Sequence, residues 1–175
     1  MNPESLAMLY TYNHYVLTKN TDGLSHEDSL HQPHPGGNCL NWVLGHVVAN
    51  RNEIMRLVGE PPVWQEEEAA PYVRGSQPLT DPSRAHPLPE LLADLNRSQE
   101  RLLMRLSQMS AADLAAAAGE QGIGEKAGGD KAAADKAVGD KTVGNQLAFF
   151  QFHEAYHAGQ VGLLRRLAGK EGALR

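Results

Sequence analysis

The sequence predicts an all-α protein, and three observations carry that expectation. Apolar residues recur at three- and four-residue steps through four long segments. No run of alternating apolar and polar residues is long enough for a strand. The longest interruption is rich in proline, which neither a helix nor a strand tolerates in its interior. At 175 residues the chain suits one domain spanning 1–175, large enough to bury a substantial core.

The first helix is expected over residues 3–19. Pro3 suits a first turn, where its missing N–H would have no partner, and Leu6, Leu9, Tyr10, Val16 and Leu17 supply apolar positions. The second is expected over 39–58, with Asn38 as N-cap and Gly59, Pro61 and Pro62 as its stop. A proline-punctuated connection over 59–87 follows, read as containing neither helix nor strand; a loop of that length in a compact domain is usually functional or disordered. The third helix is expected over 88–109, with Leu88, Leu91, Leu92, Leu95, Leu102, Leu106 and Met109 as its stripe. The fourth is expected over 143–168, capped by Thr142, with Arg165 and Arg166 at its C-terminal dipole and Gly169 at C′. Between the last two lies a low-complexity insertion, about 119–141, in which Gly124-Glu125-Lys126, Gly129-Asp130-Lys131, Ala134-Asp135-Lys136 and Gly139-Asp140-Lys141 repeat every five residues. That period fits no helix or strand face, so the tract reads as a solvated insertion, preceded by a short helix within 111–118.

The formal net charge of −5 gives no support for a nucleic-acid partner, and the nearest approach to a basic cluster is Arg165-Arg166. A lone cysteine, Cys39, cannot form an internal disulfide and reads as buried and inert. No stretch approaches the apolar length of a membrane span, and the first fifteen residues lack the basic start and apolar run of a signal peptide. A cytoplasmic protein with no membrane partner is the expectation.

The chemistry concentrates in His153-Glu154-Ala155-Tyr156-His157. Histidines at i and i+4 project from one helical face, about one turn apart, so both imidazoles can reach one ion. At about 100° per residue they share that face with Phe150, Gln160, Val161 and Leu164, the side expected to point inward. Paired imidazoles in an apolar interior need hydrogen-bond partners or a metal. For a third ligand, His26, His31, His34 and His86 lie in loop-like sequence, whereas His14 and His46 lie within helices. His46 stands beside Asn50 and Trp42 on the flank of its apolar stripe and is the best third candidate, with His14 in reserve. The same string reads literally as H-E-x-x-H, in which Glu154 would be the general base of a metalloprotease. The extended protease motif needs Gly and His where Gln160 and Leu163 stand, and Glu154 is expected instead on the polar side of the helix near Arg165. Gly159 and Gly162 suggest close packing on another helix, Glu66-Glu67-Glu68 a solvated run, and Trp42 and Trp64 packing.

The string Gly37-Asn38-Cys39-Leu40-Asn41-Trp42-Val43-Leu44-Gly45-His46 resembles the second helix of DinB/YfiT-like proteins, where a tryptophan four residues before a histidine is typical. Phe149 to Gln160, with its His-x-x-Tyr-His-x-Gly-Gln pattern, resembles their last helix. The resemblance covers nearly the whole chain except the five-residue repeat. It implies a four-helix bundle with a long connection between helices 2 and 3, a homodimer, and a divalent metal held by His46, His153 and His157. Zinc or nickel is the first expectation, and three imidazoles also accept iron or copper. Trp42, Asn50 and Gln160 would line or back the pocket. Characterised relatives include thiol-dependent S-transferases and a mycothiol-dependent isomerase. The implied activity is therefore a metal-dependent thiol S-transferase, or a related metal-assisted transferase or hydrolase, acting on a small molecule with a low-molecular-weight thiol. The alternative is a non-catalytic metal-binding or stress-linked binding protein.

Overall fold

The computed structural model describes residues 2–34, 36–119 and 141–174, so the five-residue repeat lies, but for Lys141, outside the described residues. Those residues form an all-helical chain: α1 Pro3–Thr21, α2 His26–Ser29, α3 Leu40–Leu57, α4 Glu66–Ala69, α5 Leu88–Gln108, α6 Ala111–Ala115 and α7 Val143–Leu167. Among them there is no strand, only an isolated bridge between Ala117 and Thr142. No described helix is long and apolar enough to cross a membrane.

The four long helices close on one another in a ring. α1 and α3 each pack on both α5 and α7, so the core sits between two pairs of neighbours. Leu17, Val43, Leu44, Val47, Leu91, Leu95, Val161 and Leu164 fill one part of it. Leu6, Tyr10, Ile54, Met55, Leu102, Leu106, Leu147 and Phe150 fill the other. Caps fix the ends. Asn2 accepts from Ser5 N and Pro3 opens α1, while Thr142 caps α7 through Asn145 N. Gly59 and Gly169 take the left-handed conformation after α3 and α7, as their C′ positions require.

Four expectations need correction. Asn38 does not cap α3; the cap position is Cys39, which offers no side-chain bond. The connection 59–87 does carry helix. Its proline-free stretch holds α4, started by a reciprocal box in which Glu68 accepts from Gln65 N and Gln65 from the N3 backbone. The run Glu66-Glu67-Glu68 is exposed, as read from its charge. α2, a single turn, was hidden among loop residues, although Ser25 and Asp28 form the same kind of box. Gly159 has no close neighbour, since a Cβ there would meet nothing within 4 Å; only Gly162 faces another helix, with Asn20 at 3.3 Å.

The connection is tied down throughout, and this explains why α3 is buried on every face from Leu40 to Ala49. Asn52 Oδ1 accepts from the backbone of Val63 and Trp64, and its amide donates to Trp64 O at 2.8 Å. The Trp64 indole donates to Asp94 at 2.7 Å. The Tyr72 hydroxyl donates to Asn41 and accepts from His86 N. Its ring lies on Gly45 so closely that any Cβ there would overlap it, which is why α3 has a glycine in mid-helix. Cys39 is fully buried, and desolvation raises its thiol pKa, in keeping with an inert core residue.

Candidate metal centre

The site lies between α3 and α7. Position 46 is the seventh residue of α3, and 153 and 157 lie one turn apart on α7. Helix packing brings the three rings together: His46 stands 5.3 Å from His153 and 4.9 Å from His157 by ring centroids, and the α7 pair is 4.4 Å apart. One ligand nitrogen from each lies within 4.8 Å of the others. The Nε2 atoms of His153 and His157 are 3.1 Å apart. Two nitrogens bound at about 2.0–2.1 Å to one tetrahedral ion stand roughly 3.3 Å apart, so this spacing fits a shared cation.

Hydrogen bonds select which ring nitrogen is free. The Tyr72 carbonyl can only accept, so at 2.6 Å it takes the His46 Nδ1–H and leaves Nε2 bare. Likewise Gln160 Oε1 accepts the His157 Nδ1–H at 2.7 Å, and Gln160 Nε2 donates to the Tyr156 hydroxyl at 3.2 Å. Such outer partners orient metal-ligating imidazoles and hold their tautomer. Trp42 stacks on His46 at 4.9 Å and 10°. Phe149 lies flat against His153 at 6.3 Å. Asn50 donates from Nδ2 to the unprotonated His46 Nε2 at 3.1 Å, a contact that a metal on that lone pair would displace, and to the His46 carbonyl at 2.7 Å.

Electrostatics keep the rings neutral. Burial, foremost, brings His46 and His153 down to about 4 and lowers His157. The Tyr72 bond opposes this at His46, while the charges of His157 and Arg74 reinforce it. Neutral imidazoles with open lone pairs are the form a divalent metal binds.

All six residues expected at the site, His46, His153, His157, Trp42, Asn50 and Gln160, are therefore gathered there. His14 is not among the three; it lies half-buried on α1 and is depressed first by burial and then by the Arg51 charge. Glu154 is the clearest misreading. It is 3% exposed and faces the core, where both carboxylate oxygens accept from Arg51 at 2.8 Å. A carboxylate held this way is not free to serve as a general base, and Arg165 instead bonds the backbone of Asn20, Asp22 and Glu171. The signal was present: Glu154 stands seven residues from Leu147 and Val161, both core residues, and Arg51 seven from Leu44 and Val58. Tyr72 and Arg74 went unread because a helical period says nothing about what a 29-residue connection lays over a helix.

Residues 10–161, well over half of the chain, match the family model described as the DinB superfamily. That span contains all three histidines and the residues that orient them. No curated protein matches the chain.

Proposed function

The chain belongs to the DinB superfamily, whose members generally bind metal, and from that membership we propose a metal-dependent enzyme of the four-helix-bundle type that transfers a small thiol to an electrophile. The observation that carries this reading is the convergence of three neutral imidazoles, two of which, His46 and His157, have their outer nitrogens already engaged. His46, His153 and His157 would hold a divalent ion, with zinc or nickel foremost and iron or copper compatible. An ion kept at its full charge by neutral ligands, with a position left open, makes a thiol or a water acidic enough to react near neutral pH.

The protein's own part is positional. Tyr72 O and Gln160 hold two rings at their angles, and Trp42 prevents His46 from tilting. The buried Arg51–Glu154 pair ties α3 to α7 beside the triad. Hydrolysis by the same centre is the related reaction, since water can enter where a thiol would.

The deciding experiment loads the purified protein with zinc or nickel and offers bacillithiol-, mycothiol- and glutathione-type donors with an electrophilic acceptor. Turnover with one donor, abolished by chelation and restored by metal, is expected. No turnover with any donor, alongside full metal loading, would move the protein to the non-catalytic binding class.

The proposal includes a homodimer, formed across the outer face of α1 and α7. Met8, Tyr12 and Tyr15 are 49%, 59% and 52% exposed there, and Phe152, Tyr156 and Leu163 are 68%, 59% and 59% exposed. α1 has no charged residue between Glu4 and Lys19, and α7 none before Arg165 except the buried Glu154. A two-fold interface packs this patch on an identical copy of itself, so an uncharged, apolar-rich face adds no local repulsion between two chains of net charge −5. Sedimentation should give a dimer, and Tyr12→Glu with Phe152→Glu a monomer; a monomeric wild type at high concentration would refute the assignment.

A further inference from the structure

Resting on the metal-and-thiol reading above, we infer that Asn50 selects an anionic ligand at the triad, its side-chain amide donating a hydrogen bond to the thiolate that binds beside His46.

Asn50 stands one turn beyond His46 on α3, four residues on, so the two side chains share a face. His46 is buried and Asn50 half-buried, which puts the amide at the outer rim of the site. Its Nδ2 lies 3.1 Å from Nε2 of His46, the nitrogen that the Tyr72 bond leaves free for a metal. Tyr72 and Gln160 grip the rear nitrogens of their rings, whereas Asn50 bonds a nitrogen on the side where the three rings converge.

A second bond fixes which end of the amide faces the site. Nδ2 also donates to the His46 carbonyl at 2.7 Å. A carbonyl oxygen only accepts, so the nitrogen end of the amide belongs there and Oδ1 cannot take its place. Asn50 therefore offers the site N–H groups and no lone pair. It is not built as a fourth ligand to a cation, whose charge its N–H dipoles would oppose. What such a donor binds is negative charge.

A metal on the Nε2 lone pair takes the place of the 3.1 Å contact and frees one N–H of Asn50. The 2.7 Å bond uses no atom that a metal would claim, so it keeps the amide beside the site. A freed donor in a partly buried position is costly unless something accepts from it. His46, His153 and His157 bring no negative charge, so the acceptor has to arrive with the ligand. A thiolate meets the need, since it can fill the open position and accept an N–H bond that is roughly twice as strong as one between neutral groups. A neutral imidazole on the ion has no lone pair left for Asn50.

The test compares the cobalt(II)-loaded protein with its Asn50→Ala variant, using azide as the anionic ligand, imidazole as the neutral one and 2-mercaptoethanol as the thiol. Among the described residues the Asn50 side chain bonds His46 alone, so the variant should fold and take up cobalt as the wild type does. Azide should bind the variant about tenfold more weakly, the loss of one hydrogen bond to a charged group, and imidazole equally well. The thiolate-to-cobalt absorption band of bound 2-mercaptoethanol should move to longer wavelength, because an N–H bond lowers the energy of the sulfur lone pair and its removal raises it. Asn50→Leu, close to asparagine in volume, should behave as Asn50→Ala does, which separates the lost donor from lost bulk. Equal azide affinity, an unmoved band, or parallel loss of azide and imidazole would each overturn the inference and leave the metal reading standing. Cobalt lost from the variants alone would overturn it as well, by making Asn50 a residue that holds the ion. No cobalt in the wild type would overturn the metal reading, and the inference with it.

Discussion

Replacing His157 by Ala is expected to reduce bound metal from one ion per chain to none that survives gel filtration. His157 holds the middle of the site. Its Nε2 is 3.1 Å from that of His153, its ring is the nearer of the α7 pair to His46, and its Nδ1–H is fixed by Gln160. Without it the remaining rings, His46 and His153, lie 5.3 Å apart by centroid, and two imidazoles leave a labile divalent ion half-coordinated. The change should leave the fold intact, because the site sits at the edge of the packed interior and loses one ring from it. Elemental analysis with circular dichroism separates the two outcomes. Gln160→Leu should keep the ion but bind it about 10–100-fold more weakly, as loss of an orienting partner does elsewhere. His14→Ala should bind as wild type does, since His14 is not among the converging rings. Stoichiometric metal in His157→Ala would remove the basis for the triad.

The ease with which this site was read from sequence has a physical cause. Two imidazoles one turn apart on a helix converge without help from the rest of the chain, so the i,i+4 spacing carried His153 and His157 by itself. His46 needed a second helix to come alongside, and its companions Trp42 and Asn50, four residues before and after it, marked the face that does so. The long helices were legible for the same reason, each repeating its apolar residues at its own period. What stayed hidden was built by the connection. Nothing local reports that Tyr72 will press its ring on Gly45 and its carbonyl on His46, or that Trp42 will hold the turn bearing Arg74, because those contacts join residues 26 to 34 apart. Glu154 was misread for a different reason. A carboxylate beside a metal-type motif was weighed as a polar residue, while its seven-residue spacing from Leu147 and Val161 placed it inside.

That buried carboxylate leads to the second large effect: Arg51→Met and Glu154→Leu should each destabilise the fold by about 3–5 kcal/mol, and the two together by far less than their sum. Arg51 is fully buried and Glu154 nearly so, and the guanidinium meets the carboxylate through two bonds of 2.8 Å. Arg51 also donates to Gln99 at 2.9 Å and lies over the Tyr10 ring at 5.1 Å, so the pair joins α1, α3, α5 and α7. Burial pushes the Glu154 carboxyl up, and Arg51 is the main force against that rise. Removing either partner leaves the other charge in an interior with no substitute, whereas Met and Leu of similar volume together restore an apolar contact. Urea denaturation of the metal-free proteins measures all four corners of the cycle. The single variants should also bind metal less tightly, because the pair sets the register of α3 against α7, and with it the distance of His46 from the α7 histidines. The double variant should recover most of both properties. Single variants within about 1 kcal/mol of wild type would mean that water reaches these charges and that the pair does not hold the site together.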